Sequence, residues 1–584
     1  MVSMRLILCI SSILLIANPG FSREVPKTLA YSAQPTPYFD DHADEVAEIY
    51  DGLFFTVGSW DTGVLSNLGI DGATPAQNDW KDQAARNLKN LRESGVTENL
   101  LGVSFGSSEA WPSPETLLSE EFTDKMVRHF QQIGQSAKEL GFRGVSIDPE
   151  YPYPRYELDH EVYTYEGYTI DDLLNAAAKQ GREVMAALLD EFPDAVVFLL
   201  PGELWDRPIV RAFTTAMIET MADRDAPGGM HLGYERAYCL LDPVSQVAIP
   251  RVGDCAAEAL LEGDTLDYWK RRCTVAPGVW PLHMIETGAK DYPVRPWDEE
   301  LAELRDQMRV LRRVAKRYTW SYSGRPLWYL PTEETEKKYG LSSSPFDDAS
   351  SVIPEWRRIL RDEGEVQDLG LLRLADQIDR FDRGEIDAAE LCERFGTPGE
   401  WLVLGPLGNP HTQPERFPEK PFDRADWNWP VHGRDGVVRW FRFPNLEPLG
   451  TARVRAIYDW DHTNNCSTLL ATTVVCEAEQ EALLWIGWDD GVLITLNGEV
   501  VFDRSDYPKR GKGMLYLDRY NFEEKIPIQL HPGSNLMTVT SINSHGVSGF
   551  NLRVTDLDGY PIEGIDFDLQ ESFPSGEVDH RRSD

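Results

Sequence analysis

Two carboxylates two residues apart follow a short apolar run in the first third of the chain. The stretch is Phe-Arg-Gly-Val-Ser-Ile-Asp-Pro-Glu-Tyr-Pro at residues 142–152, and its acids are Asp148 and Glu150. The run predicts a buried parallel strand with both acids at its carboxyl end, pointing the same way. Since two neighbouring carboxyls cannot both ionise cheaply, we expect one pKa to be raised toward that of a general acid. An ion pair or a helix-capping acid is the alternative interpretation.

Acids also end three later predicted strands, and aromatic residues stand beside them. These acids are Glu203, Glu235 and Glu286. The aromatic residues expected at the same ends are Trp60, Tyr151, Trp205, Trp320 and Tyr322. Because a buried charge costs free energy unless it is used or paired, acids at four successive strand ends predict a functional site.

Carboxylates beside aromatic rings match the chemistry of glycosidic bond hydrolysis. One acid protonates the leaving oxygen, a second attacks the sugar or activates water, and rings stack on sugar faces. We predict Glu150 as the general acid beside Asp148, with Glu286 or Glu235 as its partner and Glu203 and the aromatic residues holding the substrate. No cofactor or metal is predicted, although the same acids could instead bind Ca²⁺ or Mg²⁺.

These acids need a scaffold, and residues 26–330 alternate strand-like and helix-like segments. The predicted strands are 28–31, 52–60, 99–105, 144–150, 195–200, 230–235, 279–286 and 318–322. The predicted helices are 79–94, 120–140, 170–191, 207–222 and 298–317. Eight strands with intervening helices favour a closed (β/α)₈ TIM-type barrel, with an open doubly wound sheet as the alternative. Glycine-rich nucleotide-binding motifs are absent from the sequence, which disfavours dinucleotide and nucleotide chemistry.

A chain of 584 residues exceeds one hydrophobic core, so further domains are expected. We predict a barrel at 23–331, a helical connector at 332–398 and an all-β sandwich at 399–584, where short strands alternate around turns such as Asn497-Gly498. The connector keeps apolar periodicity at Leu369, Leu372, Leu374 and Ile378, which predicts that the sandwich packs on the barrel.

The first 22 residues are typical of a signal peptide. Arg5 precedes the apolar run 6–17, and Gly20-Phe21-Ser22 offers a cleavage site. The run is too short to span a bilayer, so a secreted or periplasmic location is predicted. Export permits disulfides, and Cys466 and Cys476 are close enough in sequence to form one.

The net charge of −39 disfavours nucleic acid and anionic membrane surfaces as partners. A carbohydrate substrate therefore remains the predicted partner, and the oligomeric state is left open.

The 142–152 stretch resembles the signature strand of family 18 chitinases, Phe-Asp-Gly-x-Asp-x-Asp-x-Glu-Tyr-Pro, on the fourth strand of their barrel. The resemblance implies that Glu150 is the proton donor and that Asp148 orients the substrate amide. Arg143 and Ser146 stand where that family has its first two aspartates. More broadly, residues 26–330 resemble the glycoside-hydrolase barrels of secreted bacterial proteins.

A second parallel is the retaining clan of cellulases and β-galactosidases, with the acid/base on strand four and the nucleophile on strand seven. By position these would be Glu150 and Glu286, with Pro149 in place of that clan's usual Asn. Residues 489–498 and 549–553 resemble galactose-binding-like jelly rolls, which implies a sandwich that binds sugar or braces the barrel.

Two functional classes stay open at this point. The first is a secreted glycoside hydrolase acting on a poly- or oligosaccharide. The second is a non-catalytic carbohydrate-binding or scaffold protein with a barrel fold. Esterase chemistry is disfavoured because the Gly-x-Ser-x-Gly elbow is absent from the sequence.

Overall fold

The computed structural model describes residues 25–56, 79–104, 114–148, 168–200, 202, 208–239, 242–280, 296–322, 338–339, 353–416, 430–434, 436–445, 447–457, 464–506, 522, 524–544 and 548–569. The predicted signal peptide lies outside these residues. No described helix is both long and apolar enough to cross a membrane.

Eight parallel strands form a closed barrel in the first part of the chain. They are β1 Lys27–Ala33, β2 Gly52–Thr56, β3 Leu100–Ser104, β4 Gly144–Asp148, β5 Val196–Leu199, β6 Met230–Tyr234, β7 Thr274–Val279 and β8 Tyr318–Ser321. Each strand pairs with the next along the chain, and β8 closes the barrel by pairing with β1. The predicted TIM-type barrel, followed by antiparallel sheets, is confirmed.

Helices cover the outside of the barrel. They are α1 Tyr38–Asp41, α2 Ala43–Ala47, α3 Asp79–Glu93, α4 Pro114–Leu117, α5 Glu120–Leu140, α6 Ile170–Glu191, α7 Pro208–Asp223, α8 Pro243–Ala248, α9 Val252–Leu260, α10 Gly263–Arg272 and α11 Trp297–Val314. The sequence marks the ends of α5 clearly, because Ser119 accepts from the Phe122 amide at its start and Gly141, with φ of 85°, ends it. Thr169 and Asp172 form a capping box at the start of α6.

The predicted position of the seventh strand is wrong. The strand begins at Thr274 and ends at Val279, where the prediction had it begin. Pro277 and Gly278 are residues typical of turns, so the local sequence did not indicate a strand here. Close packing inside the barrel explains the glycine at position 278, because a Cβ there would lie 2.7 Å from ring atoms of both Trp320 and Tyr238. Glu286 therefore stands 286 − 279 = 7 residues beyond the end of β7, outside the described residues.

Alternate residues of the strands point into the barrel and fill it with apolar side chains. The buried cluster inside the barrel includes Leu29, Phe54, Leu100, Phe198, Tyr318 and Trp320. A larger cluster lies between the strands and the surrounding helices. The barrel is therefore a packed core, and its functional chemistry belongs at the strand ends.

Among the residues described after the barrel, helices occur at α12 Ile353–Leu360, α13 Leu369–Asp382 and α14 Ala388–Arg394. Leu374 and Ile378 are buried as the periodicity predicted, but Leu369, the first residue of α13, is 75% exposed. Fully buried Arg251 of the barrel forms an ion pair of 2.6 Å with Asp382 of α13. The connector is thus fixed to the barrel.

The C-terminal part forms a sandwich of antiparallel sheets. Its strands are β9 Glu400–Gly408, β10 Val431–His432, β11 Val437–Val438, β12 Phe441–Pro444, β13 Thr451–Arg453, β14 Cys466–Cys476, β15 Gln480–Trp488, β16 Gly491–Leu496, β17 Glu499–Arg504, β18 Glu524–Leu530, β19 Gly533–Asn543, β20 Gly549–Thr555 and β21 Ile565–Asp568, with α15 Val454–Ile457 between β13 and β14. β14, β19 and β9 belong to a seven-stranded sheet, and β13, β20, β15 and β18 form a four-stranded one. Residues such as Trp401, Leu470 and Phe550 fill the core between them.

Cys466 and Cys476, which are close enough in sequence to allow a disulfide, do not form one. Both are buried free thiols at opposite ends of the eleven-residue strand β14. An extended strand of that length separates its ends by roughly 30 Å, far beyond the reach of a disulfide.

Candidate functional site

Asp148 is the last residue of β4 and its side chain points into the carboxyl end of the barrel. The residue is 7% exposed. The Tyr31 hydroxyl donates a long hydrogen bond of 3.3 Å to its Oδ2. Because β1 and β4 are separated by two strands in the barrel, this bond crosses the barrel mouth. Asp148 is therefore a buried carboxylate at the end of the barrel where TIM-type enzymes carry their active sites.

Four aromatic rings, here called the ring wall, line one side of the same end: Tyr31, Tyr238, Trp280 and Tyr322. The ring centroid of Tyr31 lies 5.5 Å from that of Tyr322. The ring centroids of Tyr322 and Trp280 are 4.8 Å apart, and their planes meet at 88°. Tyr238 lies 5.4 Å from Trp280 and 5.9 Å from Tyr322. The Tyr322 amide donates to the Val279 carbonyl at 2.9 Å, which fixes the ends of β7 and β8 side by side. Trp280 and Tyr322 are half-buried, so part of each side chain remains open to solvent.

Trp320, predicted to hold substrate, lies beneath the ring wall. It is 1% exposed, and its Nε1 donates to the Ala276 carbonyl at 3.0 Å. Its ring contacts those of Tyr31 and Tyr238 at 5.9 and 5.4 Å. In this position it supports the rings above it and presents no open face to a sugar.

Glu235 is the first residue after β6 and begins a short 3₁₀-helix, Glu235–Cys239. Its side chain is half-buried. Residues three apart lie over each other in a 3₁₀-helix, so Glu235 stands on the same face as Tyr238 of the ring wall. Gln307 of α11 donates to the Ala237 carbonyl at 2.9 Å and fixes this turn to the barrel.

The remaining predicted site residues lie outside the described residues. They are Glu150, Glu286, Glu203, Trp60, Tyr151 and Trp205. Of the predicted site, the structure thus locates Asp148, Glu235, Trp320 and Tyr322 at or just below the carboxyl end of the barrel.

Three members of the ring wall were missed by sequence reasoning. Tyr31 carried a signal, since it is two residues after inward-facing Leu29 in a predicted strand. Trp280 was hidden by the misplaced seventh strand. Tyr238 lies beyond β6 in a segment with no strand or helix periodicity, so only its spacing from Glu235 could have indicated it.

The opposite end of the barrel is closed by buried polar contacts. His231 is fully buried between the Thr274 hydroxyl, 3.0 Å from Nδ1, and the Gly228 carbonyl, 3.2 Å from Nε2. Burial lowers the pKa of His231 well below its usual value, so the ring is neutral. Tyr318 donates to Glu98 Oε2 at 2.8 Å. These polar groups at the amino end of the barrel are therefore engaged in internal hydrogen bonds.

A metal site would need several ligating side chains close together, and the described residues can be compared with that requirement. They contain no group of three or more His, Cys, Asp or Glu side chains arranged to hold a metal ion.

Comparison with known proteins gives no family. No family model matches the chain, and no curated protein sequence does. Among solved structures, a Thermobacillus composti GH10 xylanase is 13% identical with a TM-score of 0.27, covering 51% of this chain and 86% of that one. The beta-glycosidase BGL167 is 12% identical with a TM-score of 0.30, covering 56% and 85%. A morphinone reductase is 11% identical with a TM-score of 0.30, covering 55% and 88%. These matches include both hydrolases and a reductase, all at low similarity, so they do not indicate any particular reaction for this chain.

Proposed function

We propose that this chain is a secreted glycoside hydrolase that cleaves glycosidic bonds of a poly- or oligosaccharide by carboxylate general acid/base chemistry. The observation that carries the proposal is buried Asp148, held by Tyr31 across the barrel mouth beside the ring wall. A carboxylate within reach of partly open aromatic rings is what sugar stacking and acid catalysis require together.

In the proposed mechanism Glu150 is the general acid and Asp148 its neighbour. Glu150 is two residues further along the chain than Asp148, and if the extended backbone of β4 continued to it, the two side chains would share one side. The negative charge of Asp148, stabilised by the Tyr31 hydroxyl, would keep Glu150 protonated until the leaving oxygen needs the proton.

In the mechanism that we favour, Glu235 is the partner acid of Glu150. Glu235 follows β6 directly and shares a helix face with Tyr238, whereas Glu286 is seven residues past the end of β7. Glu286 remains the alternative partner. A separation of the two carboxyls of about 5–5.5 Å would give retention of configuration, and about 6.5–9.5 Å inversion.

The experiment is a hydrolysis screen with 4-nitrophenyl glycosides and soluble polysaccharides, comparing wild type with Asp148→Asn. We expect hydrolysis of at least one sugar by wild type and a loss of at least about 100-fold in kcat for the variant. Binding of a polysaccharide without hydrolysis would instead support the non-catalytic carbohydrate-binding alternative.

Export is part of the same proposal and rests on residues 1–22 alone. Expression of the full chain in a bacterial host tests it, with mass spectrometry of the N-terminus. We expect the exported protein to begin at Arg23. Retention of an intact N-terminus in the cytoplasm would contradict the proposal.

A further inference from the structure

The segment that follows β6 carries two residues of the proposed site. Glu235 and Tyr238 lie on its 3₁₀-helix, and Asp242 then caps α8 by accepting from the Ser245 amide at 2.9 Å. Two arginine contacts join this segment to the C-terminal sandwich, and both involve side chains that are almost fully buried.

The first contact is the ion pair between Arg236 and Glu447. Arg236 Nη1 donates to the two carboxylate oxygens of Glu447 at 3.4 and 3.2 Å. The Arg236 side chain is 2% exposed and that of Glu447 14%. Glu447 also forms an ion pair of 2.7 Å with Arg453 of β13, so it lies between two guanidinium groups. Such a buried pair is held in one geometry, because loss of either partner leaves a charge out of water.

The second contact runs from β20 to the cap of α8. Arg553, 0% exposed, donates from Nη1 to Asp242 Oδ1 at 2.7 Å and from Nη2 to the Ser245 hydroxyl at 2.9 Å. One guanidinium thereby binds both the capping residue and the residue whose amide it caps. The sandwich thus holds the β6 segment at two points, six residues apart in sequence, on either side of Tyr238 (242 − 236 = 6).

We propose that Glu447 and Arg553 are positioning residues, and that the sandwich fixes Glu235 and Tyr238 in the catalytic site of the barrel. This role rests on the proposed glycoside hydrolase function. Arg236 stands between Ala237 and Glu235 in the backbone, so a shift of its side chain moves the turn that carries the acid and the ring. The sandwich is then a structural part of the site and need not bind sugar itself.

The test compares Glu447→Ala with Glu563→Ala in the full chain. Glu563 also joins the sandwich to another part of the chain, through a 2.7 Å ion pair with Arg373 of α13, but that pair is exposed and far in sequence from the β6 segment. For each variant, kcat and KM are measured on the 4-nitrophenyl glycoside that wild type hydrolyses fastest. Hydrogen–deuterium exchange of the 235–248 peptides is measured in parallel.

We expect Glu447→Ala to lower kcat at least about tenfold with a smaller change in KM, since small displacements of a reacting group cost turnover more than binding. The same variant should exchange faster in residues 235–239, and Glu563→Ala should change neither quantity. In a double-mutant cycle, Arg236→Ala plus Glu447→Ala should lower kcat no further than either change alone. A purely structural role would give no such coupling in kcat.

Several results would overturn the proposal. Unchanged exchange at 235–239 in a folded Glu447→Ala would do so, and so would faster exchange with unchanged kcat. If Glu447→Ala fails to fold, Glu447→Gln, which keeps the volume and loses the charge, is judged by the same two readouts. If wild type hydrolyses no glycoside, the proposed function fails, and the exchange result alone then decides whether the sandwich holds the segment.

Discussion

At the scale of single residues, the molecule uses one kind of contact at both ends of its barrel. Tyr31 donates to Asp148 at the carboxyl end, and Tyr318 donates to Glu98 at the amino end. Both are phenol to carboxylate hydrogen bonds, but only the first lies beside the ring wall. Asp148 and Tyr31 are 117 positions apart in the chain, so sequence spacing could indicate an acid at a strand end but not its partner.

Tyr31→Phe and Tyr318→Phe separate the two roles. We expect Tyr31→Phe to lower kcat about tenfold, because Asp148 loses the donor that stabilises its charge. Tyr318→Phe should lower the free energy of unfolding by about 1–2 kcal/mol and leave kcat unchanged. Steady-state kinetics and denaturant unfolding measure the two effects. Equal loss of kcat in both variants would count against a functional role for the Tyr31 hydroxyl.

Gly278→Ala tests how the ring wall is packed. The new methyl group would meet ring atoms of Trp320 and Tyr238 at 2.7 Å, so we expect a loss of about 1–3 kcal/mol in stability together with reduced turnover. Gly436→Ala is the matched control, since its Cβ would meet no atom within 4 Å. Thermal unfolding that is the same for Gly278→Ala and wild type would show that the rings are not packed as described.

At the scale of elements, strong periodicity and clear caps made most of the barrel predictable. Helices α5 and α6 have the predicted bounds, and Ser119 and Thr169 cap them. β7 was misplaced because Pro277 and Gly278 are turn residues locally but serve packing inside the barrel. The local sequence does not show which side chains pack against a glycine. The strand was therefore placed too late in the chain, and Trp280, which directly follows its true end, was missed.

Helix α14 supplies a prediction of pH dependence. Burial, followed by the charge of Asp566, raises the pKa of Glu393 from 4.5 to about 7. A carboxyl with a raised folded pKa binds its proton more tightly in the native state, so its stabilising effect is lost as pH rises from about 4.5 through 7. Glu393→Gln should therefore be more stable than wild type at pH 8, by on the order of 1–3 kcal/mol, and little different at pH 4. Melting temperatures at both pH values measure this, with exposed Glu563→Gln as control. A constant difference across the pH range would contradict it.

At the scale of the whole molecule, barrel, connector and sandwich are tied by buried charges. Arg251 pairs with Asp382 between barrel and connector, and Arg553 pairs with Asp242 between sandwich and barrel. The order of barrel and sandwich could be predicted from the change in periodicity near residue 399. The ion pairs could not be predicted, because each joins residues far apart in sequence and no local pattern indicates them.

We expect the chain to unfold in one main thermal transition, with barrel and sandwich signals changing together. Ile378 of the connector and Leu449 of the C-terminal part belong to the same buried apolar cluster as the barrel, so separation would expose apolar surface to water. Limited proteolysis should not yield two stable halves. Differential scanning calorimetry with proteolysis followed by mass spectrometry measures both. Two well-separated transitions, or rapid release of an intact sandwich, would show that the parts are independent.

The proposed hydrolysis of glycosidic bonds requires Glu150 as the general acid. The most direct measurement is turnover by Glu150→Gln on two glycosides of the same sugar, one with an activated phenol leaving group and one with a poor leaving group. We expect turnover to fall about 10²–10⁴-fold for the poor leaving group and much less for the activated one, because only the first needs the proton. Near-normal turnover of the poor substrate by Glu150→Gln would show that Glu150 is not the general acid and would leave the strand-four acids a structural role.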